Sequence, residues 1–423
     1  MALEEYRQDM ETCCRCSACK FIPFENVKGF HNVTICPSIA RYNFHAYSGG
    51  GRLGIGMAML EKELDYSDKL LEVVYNCQMC GGCDTSCKYA MDMEVLDPIN
   101  EIRIECVASG HTLPTLDRII STLRKQGSMV PDAKIGRDAW YKGSEVKDYT
   151  KHKTETIFHA GCRTAFDSDM WKVARSCISL FKKAGVDIGI AGAKEGCCGG
   201  RAFQMGYKAD FLRQAEYNMK SIKQSGAKTL VTGCAECYHA FKVLYDKFKL
   251  KGDLEVLHTT EYFARLIQKG KLELKKKIDL KVAYHDPCHL GRLGEPYIHW
   301  EGKQIPGQIR LFDPPKEFRR GSYGVYEPPR EVLKSIPGIK LMEMARIKEY
   351  AWCCGAGGGV KENNPEFARW TAGERIMEAE STGAKAIVTA CPGCEKNFSE
   401  AIKDRGKALE VYDVVELIDQ ATE

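Results

Sequence analysis

The chain has 423 residues, a formal net charge of +4, 44% hydrophobic residues and 28% charged residues. This length exceeds that of most single domains, so we expect two or three domains. The small net charge excludes a strongly basic nucleic-acid-binding protein and an acidic tail. The first ten residues are acidic and lack an apolar run, and no later stretch reaches about 18 consecutive apolar residues. We therefore expect a cytoplasmic protein with no secretory signal and no membrane span of its own.

Cysteine is frequent in this chain, with 21 copies. In a small secreted protein such a number would indicate a disulfide framework. This chain is long, begins without a signal and groups its thiols in Cys-x-x-Cys runs, a pattern that favours metal ligation in a reducing compartment.

Two cysteine runs occupy the first 90 residues. Cys77, Cys80, Cys83 and Cys87 have gaps of two, two and three residues, which is the spacing of bacterial ferredoxins. The other run has the same pattern with its last gap stretched to sixteen residues, and its cysteines are Cys13, Cys16, Cys19 and Cys36, the last followed by a proline. Successive two-residue gaps are typical of ferredoxins and not of zinc ribbons, so the runs predict two [4Fe-4S] cubane clusters.

The fourth cysteine of each run is expected to ligate the cluster of the other run, as in two-cluster ferredoxins. One cubane would then be held by Cys13, Cys16, Cys19 and Cys87, and the other by Cys77, Cys80, Cys83 and Cys36. Lys88 stands where a proline usually follows the fourth cysteine, which is the departure of the second run from the ferredoxin pattern.

Several further features of this region have structural interpretations. Cys106 and Cys177 lie in segments with apolar residues at helical spacing, so we expect buried thiols in helix cores, and Cys14 stays unassigned. The glycine-rich segment from Ser48 to Gly56 lacks the full nucleotide-binding fingerprint, so we expect a flexible connector. Residues 111–153 contain prolines, glycines and a charged run, and we expect a linker with a helix at 116–125.

The rest of the chain is an internal duplication. Residues 226–241 match residues 383–398 closely, and each copy runs from a β-rich segment through helices to a second strand that ends at a Cys-x-x-Cys pair. This alternation predicts two α/β lobes with parallel sheets, with the cysteines at the strand ends. The second copy carries an insertion near residues 294–324, which is either a loop that docks a partner or covers a substrate, or a solvated excursion.

Each copy carries five cysteines in the order one, an adjacent pair, and a spaced pair. The first set is Cys162, Cys197, Cys198, Cys234 and Cys237, and the second is Cys288, Cys353, Cys354, Cys391 and Cys394. Five thiols exceed what one tetrahedral zinc uses, and an adjacent pair can bind neighbouring irons of one cluster. Glycines after each pair would let the backbone approach the sulfides and direct N–H groups at them. Each set therefore predicts a multi-iron centre.

The fold class expected from these patterns combines a mainly helical, ferredoxin-like part with two α/β lobes. The boundaries are 1–110 for the part with two cubanes, 111–153 for the linker, 154–275 for the first cysteine-rich lobe and 276–423 for the second.

The two five-cysteine sets resemble the cysteine-rich CCG domain. Two ferredoxin-type runs followed by two such domains resemble the D-type subunit of heterodisulfide reductase over nearly the whole chain. In that family each CCG set is understood to hold a non-cubane [4Fe-4S] cluster, and a disulfide between two thiol coenzymes is cleaved between the two clusters. The resemblance thus implies that the ten CCG cysteines are the catalytic ligands. The chain is also similar to the heterodisulfide-reductase-like subunit of class II benzoyl-CoA reductase complexes and, more distantly, to iron-sulfur subunits of anaerobic glycerol-3-phosphate and lactate dehydrogenases.

Three functions remain open at this point. The chain could be a catalytic subunit that reduces a disulfide, or an electron relay in another anaerobic complex, such as class II benzoyl-CoA reductase or a quinone-linked dehydrogenase. A storage or purely structural cysteine protein is disfavoured because two different ligand patterns each occur twice. The sequence shows no convincing flavin or nicotinamide site, so we expect a partner that carries electrons. It would be a flavoprotein, another iron-sulfur subunit, or a membrane cytochrome that brings the chain to the inner face of the membrane.

Polar residues near the CCG cysteines could bind an anionic substrate or donate protons, or could only offset the charge of a cluster. They are Arg163, Arg201, His239, His289, Arg292 and Lys361.

Overall fold

The first part of the chain is helical in a computed structural model that describes residues 3–131, 135–305, 311–406 and 408–422. Short turns of 3-10 helix connect its α-helices, and Phe21 and Thr34 form an isolated antiparallel bridge. The helices are α1 Arg7–Thr12, α2 Pro37–Tyr42, α3 Gly49–Leu60, α4 Asp68–Tyr75, α5 Gly82–Met91, α6 Leu96–Ala108 and α7 Pro114–Gln126. Cys106 is fully buried in α6, which confirms its expected place in a helix core.

Helix α3 shows that the expectation of a flexible connector was wrong. Its N-terminus is capped by Ser48, whose hydroxyl accepts a hydrogen bond from the Gly51 N–H at 3.0 Å. A Cβ at Gly49 would lie 3.2 Å from the Cβ atoms of both Cys19 and Cys83. Glycine stands here because the helix packs directly against both cysteine runs, and this packing outweighs the low helix propensity of glycine.

The first lobe is built on a five-stranded parallel sheet with the order β1-β3-β2-β4-β5. The strands are β1 Lys147–Asp148, β2 Thr156–His159, β3 Ile188–Ile190, β4 Thr229–Thr232 and β5 Glu255–His258. The helices are α8 Cys162–Phe166, α9 Trp171–Lys183, α10 Gly200–Gln204, α11 Lys208–Ser225, α12 Ala235–His239, α13 Tyr245–Lys247 and α14 Thr259–Gln268, with a π-helical turn at Ala240–Leu244. Cys177 is fully buried in α9, as expected from its helical spacing.

The second lobe repeats this arrangement with a four-stranded parallel sheet in the order β11-β10-β6-β9. The strands are β6 Leu280–Tyr284, β9 Ile339–Met342, β10 Ala386–Thr389 and β11 Glu410–Asp413, and the antiparallel pair β7 Lys303–Gln304 and β8 Phe312–Asp313 lies in the insertion. The helices are α15 Glu327–Ser335, α16 Val360–Asn363, α17 Pro365–Ser381, α18 Pro392–Arg405 and α19 Val414–Ala421. The duplicated α/β lobes expected from the sequence are therefore present.

The two lobes also share their local capping chemistry. In the first lobe β5 ends at His258, whose side chain and that of Glu261 form a capping box at the start of α14. In the second lobe β11 ends at Asp413, which forms the same box with Glu416 at the start of α19. Because a capping box satisfies backbone N–H groups at the first turn, each strand passes directly into its helix.

Residues 111–153, expected as a linker, contain both a helix and a strand. Helix α7 buries Leu116, Ile119, Ile120 and Leu123, which recur at helical spacing, and ends at Gly127 in the left-handed conformation. Strand β1 pairs in parallel with β3, so this segment also completes the sheet of the first lobe. None of the helices in the described ranges combines the length with the apolar sequence that a membrane span needs.

Arg103 of α6 connects the helical part to both lobes. Its side chain is fully buried, and its Nη1 donates hydrogen bonds to the carbonyl oxygens of Gln204 and Gly358, each at 2.8 Å. Its Nη2 donates to the carbonyl oxygens of Val74 at 2.9 Å and Cys77 at 2.8 Å. One guanidinium thus holds the backbone of the first lobe, the second lobe and the second cysteine run together.

We predict that Arg103→Met lowers the free energy of unfolding by about 3 kcal/mol or more, because it leaves buried carbonyl oxygens without a donor. Urea unfolding followed by circular dichroism measures the effect. Arg213→Met is the matched control, since the Arg213 side chain is 62% exposed. Equal unfolding midpoints for the two variants would contradict this role of Arg103.

Candidate metal centres

The first cysteine run surrounds a cavity that also includes a thiol from α5. The cysteines that line this cavity are Cys13, Cys14, Cys16, Cys19 and Cys87. The Gly50 N–H donates to Cys19 Sγ at 3.3 Å, and a Cβ at Gly50 would lie 3.2 Å from Cys13 Sγ. A backbone N–H this close to a sulfur suits a negatively charged iron-sulfur centre. Cys16 is exposed and Cys13 is partly exposed, so this site lies near the surface.

The second cysteine run forms a buried group with Cys36. Burial raises the pKa of the Cys36 thiol to about 12, and the nearby thiols of Cys77 and Cys80 act in the same direction. Burial likewise raises the pKa of Cys83, and the thiols of Cys36, Cys77 and Cys80 act in the same direction. The structure therefore places Cys36 with the second run and Cys87 with the first, which are the groupings that crossed ligation requires. Ligation itself stays a prediction.

The ten CCG cysteines form two continuous series of thiol contacts. The order is Cys162, Cys197, Cys198, Cys237 and Cys234 in the first lobe, and Cys288, Cys353, Cys354, Cys394 and Cys391 in the second. Cys234 and Cys391 also contact each other, so the two series meet. All ten are buried, and none of them forms a disulfide with another described residue.

One cavity of about 90 Å³ is shared by both CCG sets. The cysteines in its wall are Cys162, Cys197, Cys198, Cys234, Cys237, Cys288, Cys354, Cys391 and Cys394. The tenth, Cys353, instead contacts Cys80 of the second ferredoxin-type run. The second CCG set is thus in direct contact both with the cavity and with the helical part of the chain.

Strand and helix ends position these thiols. Cys162 and Cys288 follow the carboxyl ends of β2 and β6, and Cys234 and Cys391 are the N-cap residues of α12 and α18. Carboxyl ends of neighbouring parallel strands meet at one edge of a sheet, so the thiols of each lobe converge there. Helix N-termini also favour thiolates, which are the form that binds metal.

The glycines after each cysteine pair make the expected contacts with sulfur. Gly199 donates its N–H to Cys197 Sγ and Gly355 donates to Cys353 Sγ, each at 3.3 Å. Both glycines have positive φ angles, 75° and 93°, which other residues rarely adopt. The donor set of convergent thiols, with N–H groups directed at sulfur, fits iron-sulfur clusters.

His289 lies between the cavity and the first lobe. Its Nδ1 is 3.2 Å from Cys288 Sγ, and its Nε2 is 2.6 Å from Gln204 Nε2. The Gln204 amide is oriented by the Gly358 N–H, which donates to its Oε1 at 3.2 Å. Gln204 Nε2 therefore donates to His289 Nε2, which leaves the proton of the ring on Nδ1, directed at Cys288.

The other polar residues selected from the sequence have different places. Arg163 and Arg201 line the cavity, but Arg201 is paired with Glu362. Arg292 instead donates to the carbonyl oxygens of Cys80, Glu349 and Ala351, and its role is to tie the second lobe to the second run. His239 is bound to the Leu293 carbonyl oxygen at 2.7 Å, and Lys361 is paired with Glu400 at 2.8 Å.

Four residues near the thiols were missed by the sequence analysis. Arg137, from the expected linker, lies 3.6 Å from Cys162 Sγ and is paired with buried Glu195, and nothing in the sequence pattern indicated either residue. Glu236 lines the shared cavity from within a Cys-x-x-Cys pair. His285 lies with Cys354 and Cys394, with their potential ligand atoms within 4.8 Å of one another. The duplication could have indicated His285, because each copy has an aromatic residue and a histidine just before its first cysteine.

The insertion lines a second, larger cavity of about 340 Å³. Tyr297, Trp300 and Arg319 of the insertion form part of its wall, and Lys88 and Lys247 line it from the helical part and the first lobe. His289 and His239 also reach this cavity. These contacts favour a covering segment over a solvated excursion, although residues 306–310 of the insertion lie outside the described ranges.

The model of the CCG family, described as "Cysteine-rich domain", matches residues 156–242 and 282–399. The D-type subunit of dihydromethanophenazine:CoB--CoM heterodisulfide reductase from Methanosarcina acetivorans is 30% identical, with 98% of this chain and 94% of that protein covered. The probable iron-sulfur-binding oxidoreductase FadF of Bacillus subtilis is 28% identical over 86% of this chain and 50% of that protein. EtfAB:quinone oxidoreductase of Syntrophomonas wolfei is 27% identical over 86% of this chain and 48% of that protein. The chain thus spans about half the length of the last two relatives.

We predict that Cys87→Ala removes the cubane signal that is lost in Cys16→Ala, and that Cys36→Ala removes the signal lost in Cys83→Ala. The reason is that each fourth cysteine lies with the other run. Electron paramagnetic resonance of the reduced variants measures the pattern, with Cys106→Ala, at a thiol buried in α6 and outside both runs, as the control. If Cys87→Ala instead lost the same cubane signal as Cys83→Ala, the crossed ligation would be rejected.

Proposed function

The chain belongs to the family of the D-type subunit of heterodisulfide reductase, and from this premise we propose that it reduces a disulfide in the cavity shared by its two CCG sets. It does so as the iron-sulfur oxidoreductase subunit of an anaerobic complex. The observation that carries this proposal is that cysteines of both lobes line one cavity of about 90 Å³. If the chain only relayed electrons through one lobe, the CCG cysteines of both lobes would have no reason to line the same cavity.

The cofactors proposed are two [4Fe-4S] cubanes and two non-cubane [4Fe-4S] clusters. The cubanes are assigned to Cys13, Cys16, Cys19 and Cys87, and to Cys77, Cys80, Cys83 and Cys36. The non-cubane clusters are assigned to the five CCG cysteines of each lobe. When bound, such clusters supply electrons one at a time at sulfur-rich iron sites.

The overall reaction takes two electrons and two protons. The sulfur-sulfur bond breaks, each sulfur gains one electron and one proton, and two thiols leave. The protein groups beside the cavity that can hold a proton are His289 at Nδ1 and Glu236 at its carboxylate. Arg163 and Arg201 give the wall positive charge, and Glu362 keeps Arg201 in place.

The route of electrons follows the contacts between the cysteine sets. The first run is nearest the surface, the second run is buried, and Cys80 of the second run contacts Cys353 of the second CCG set. Buried, closely packed cofactor sites suit outer-sphere transfer, so we propose that electrons pass from a partner through the cubanes to the CCG sets. The partner is proposed to be a flavoprotein, another iron-sulfur subunit or a membrane cytochrome. The complex would work in the cytoplasm or at the inner face of the membrane.

An electron relay is the second candidate function. It is favoured by the similarity to FadF and to EtfAB:quinone oxidoreductase, whose names do not include a disulfide. A relay would use the contact between Cys80 and Cys353 and would leave the shared cavity without a substrate.

We predict about sixteen irons per chain in an anaerobic preparation, in four clusters of four. Colorimetric iron analysis together with Mössbauer spectroscopy measures the number and type. About eight irons with cubane spectra alone would contradict the assignment of clusters to the CCG sets.

We also predict that Cys198→Ser and Cys354→Ser each lower reduction of the CoB–CoM heterodisulfide by reduced methyl viologen at least about 100-fold. Replacing a residue that only supports a metal ligand lowers activity by up to about 100-fold. Replacing a ligand itself should lower activity by at least as much. Reduction of the cubanes by viologen should stay unchanged, and Cys106→Ala, at a thiol buried in α6 and outside the proposed ligand sets, is the control. Full turnover in the two variants would favour the relay.

A further inference from the structure

The sixteen residues between Cys19 and Cys36 are the feature of the first run that ferredoxin spacing does not explain. They form a loop, residues 20–35, with a firmly held base. Ile22 N–H donates to the Val33 carbonyl oxygen at 2.8 Å, and Ile35 N–H donates to the Lys20 carbonyl oxygen at 3.0 Å. Ile22 and Ile35 are both buried, so the base of the loop is part of the folded core.

Two further contacts hold the loop against the rest of the chain. Buried Arg346 of the second lobe donates to the Thr34 carbonyl oxygen at 3.0 Å. Near the tip, the Tyr89 hydroxyl of α5 donates to the Glu25 carboxylate. The conformation of the loop is therefore fixed in advance, which lowers the entropic cost of any complex it forms.

The tip of the loop exposes a large apolar side chain. Phe24 is 94% exposed, and further exposed aromatic side chains lie close in sequence to residues around the first cysteine cavity. Phe21 follows Cys19 by two residues, Phe44 precedes the cavity residue His45, and Tyr89 follows Cys87 by two residues. Aromatic side chains exposed together beside a functional site are typical of interfaces.

The sequence around this loop is rich in basic residues. Residues 13–45 contain Arg15, Lys20, Lys28 and Arg41 but the single carboxylate Glu25. Arg41 is paired with Glu366 and Glu25 is bound by Tyr89, whereas Arg15, Lys20 and Lys28 have no carboxylate partner among the described residues. Lys20 and Arg15 lie close enough to His45, at the cavity, to help burial lower its pKa.

We propose that the 20–35 loop is the docking site for a redox protein with an acidic surface, which delivers electrons at the first cysteine run. This inference rests on the proposed function, and it identifies the protein that donates electrons by the negative charge of its surface. Complementary charge steers two proteins together and raises the rate of association, and exposed aromatic residues then supply the buried contact. A lipid surface would also attract cations and aromatic side chains, but it would supply no electrons to a cluster held by the first cysteine run.

The test uses the full-length, cluster-loaded protein and a small acidic two-cubane ferredoxin in its reduced form. The loop variant is Phe24→Ser with Lys28→Glu, which leaves every proposed ligand in place. The matched control is Met377→Ser with Lys220→Glu, which replaces one exposed apolar residue by serine and reverses one lysine charge at positions of the two lobes away from the loop. Stopped-flow absorbance measures reduction of the clusters at low and high ionic strength.

We expect the loop variant to be reduced by ferredoxin about tenfold more slowly than the wild type, with a weaker dependence on salt. Reduction by methyl viologen should be equal in all three proteins, since a small donor needs no docking. Equal ferredoxin rates in the loop variant and the control would overturn the proposal, and so would a wild-type rate that is insensitive to salt.

Two other outcomes separate the docking site from the other possibilities. Binding of the wild type to phosphatidylglycerol vesicles, lost in the loop variant while its ferredoxin rate is unchanged, would show a lipid-binding surface and overturn the proposal. Suppose that the protein reduced the disulfide normally with viologen, and that the loop variant and the wild type were reduced by ferredoxin at the same rate. Only the proposed docking site would then be wrong. If viologen left the CCG clusters oxidised, the proposed function itself would fail.

Discussion

Arg103 supplies the hydrogen bonds on which the arrangement of the cysteine sets depends. Its guanidinium lies where the helical part and the two lobes meet, and it binds backbone carbonyl oxygens from all three. Arg292 makes a second connection of this kind, from the second lobe to Cys80. A buried cation is costly unless it is hydrogen-bonded, and these two arginines make their hydrogen bonds to carbonyl oxygens only when the three parts have this relative placement. Cys80 and Cys353 come into contact as a result of that placement.

The two lobes have the same fold, and together they form the cavity that both CCG sets line. Each lobe brings its thiols to the carboxyl edge of a parallel sheet, and the contact between Cys234 and Cys391 joins the two edges. The lobes are nevertheless not equivalent, because it is the second that reaches Cys80. The second lobe also carries the insertion that lines the larger cavity. A duplication has thus produced a cavity with two similar walls, one of which also contacts the second cysteine run.

The sequence predicted most of the fold because its signals were local and repeated. The strand-to-cysteine segments, the paired Cys-x-x-Cys motifs and the helical spacing around Cys106 and Cys177 each depend on neighbouring residues. The glycine-rich helix α3 was misjudged because glycine propensity gives no sign of how closely a backbone must pack against Cys19 and Cys83. Arg137 was missed for a related reason, since it acts on Cys162 from a segment that carries no motif. The meeting of the two CCG sets depends on how the lobes pack, and no local pattern encodes that.

Iron-edge anomalous diffraction from anaerobically grown crystals is the most direct measurement of whether the two lobes share one metal-lined active site. The expected map has four separate iron centres, one within each cysteine set, with two of them facing the shared cavity from opposite lobes. Iron confined to the two N-terminal sets, with the ten CCG thiols free of metal, would contradict the proposed active site.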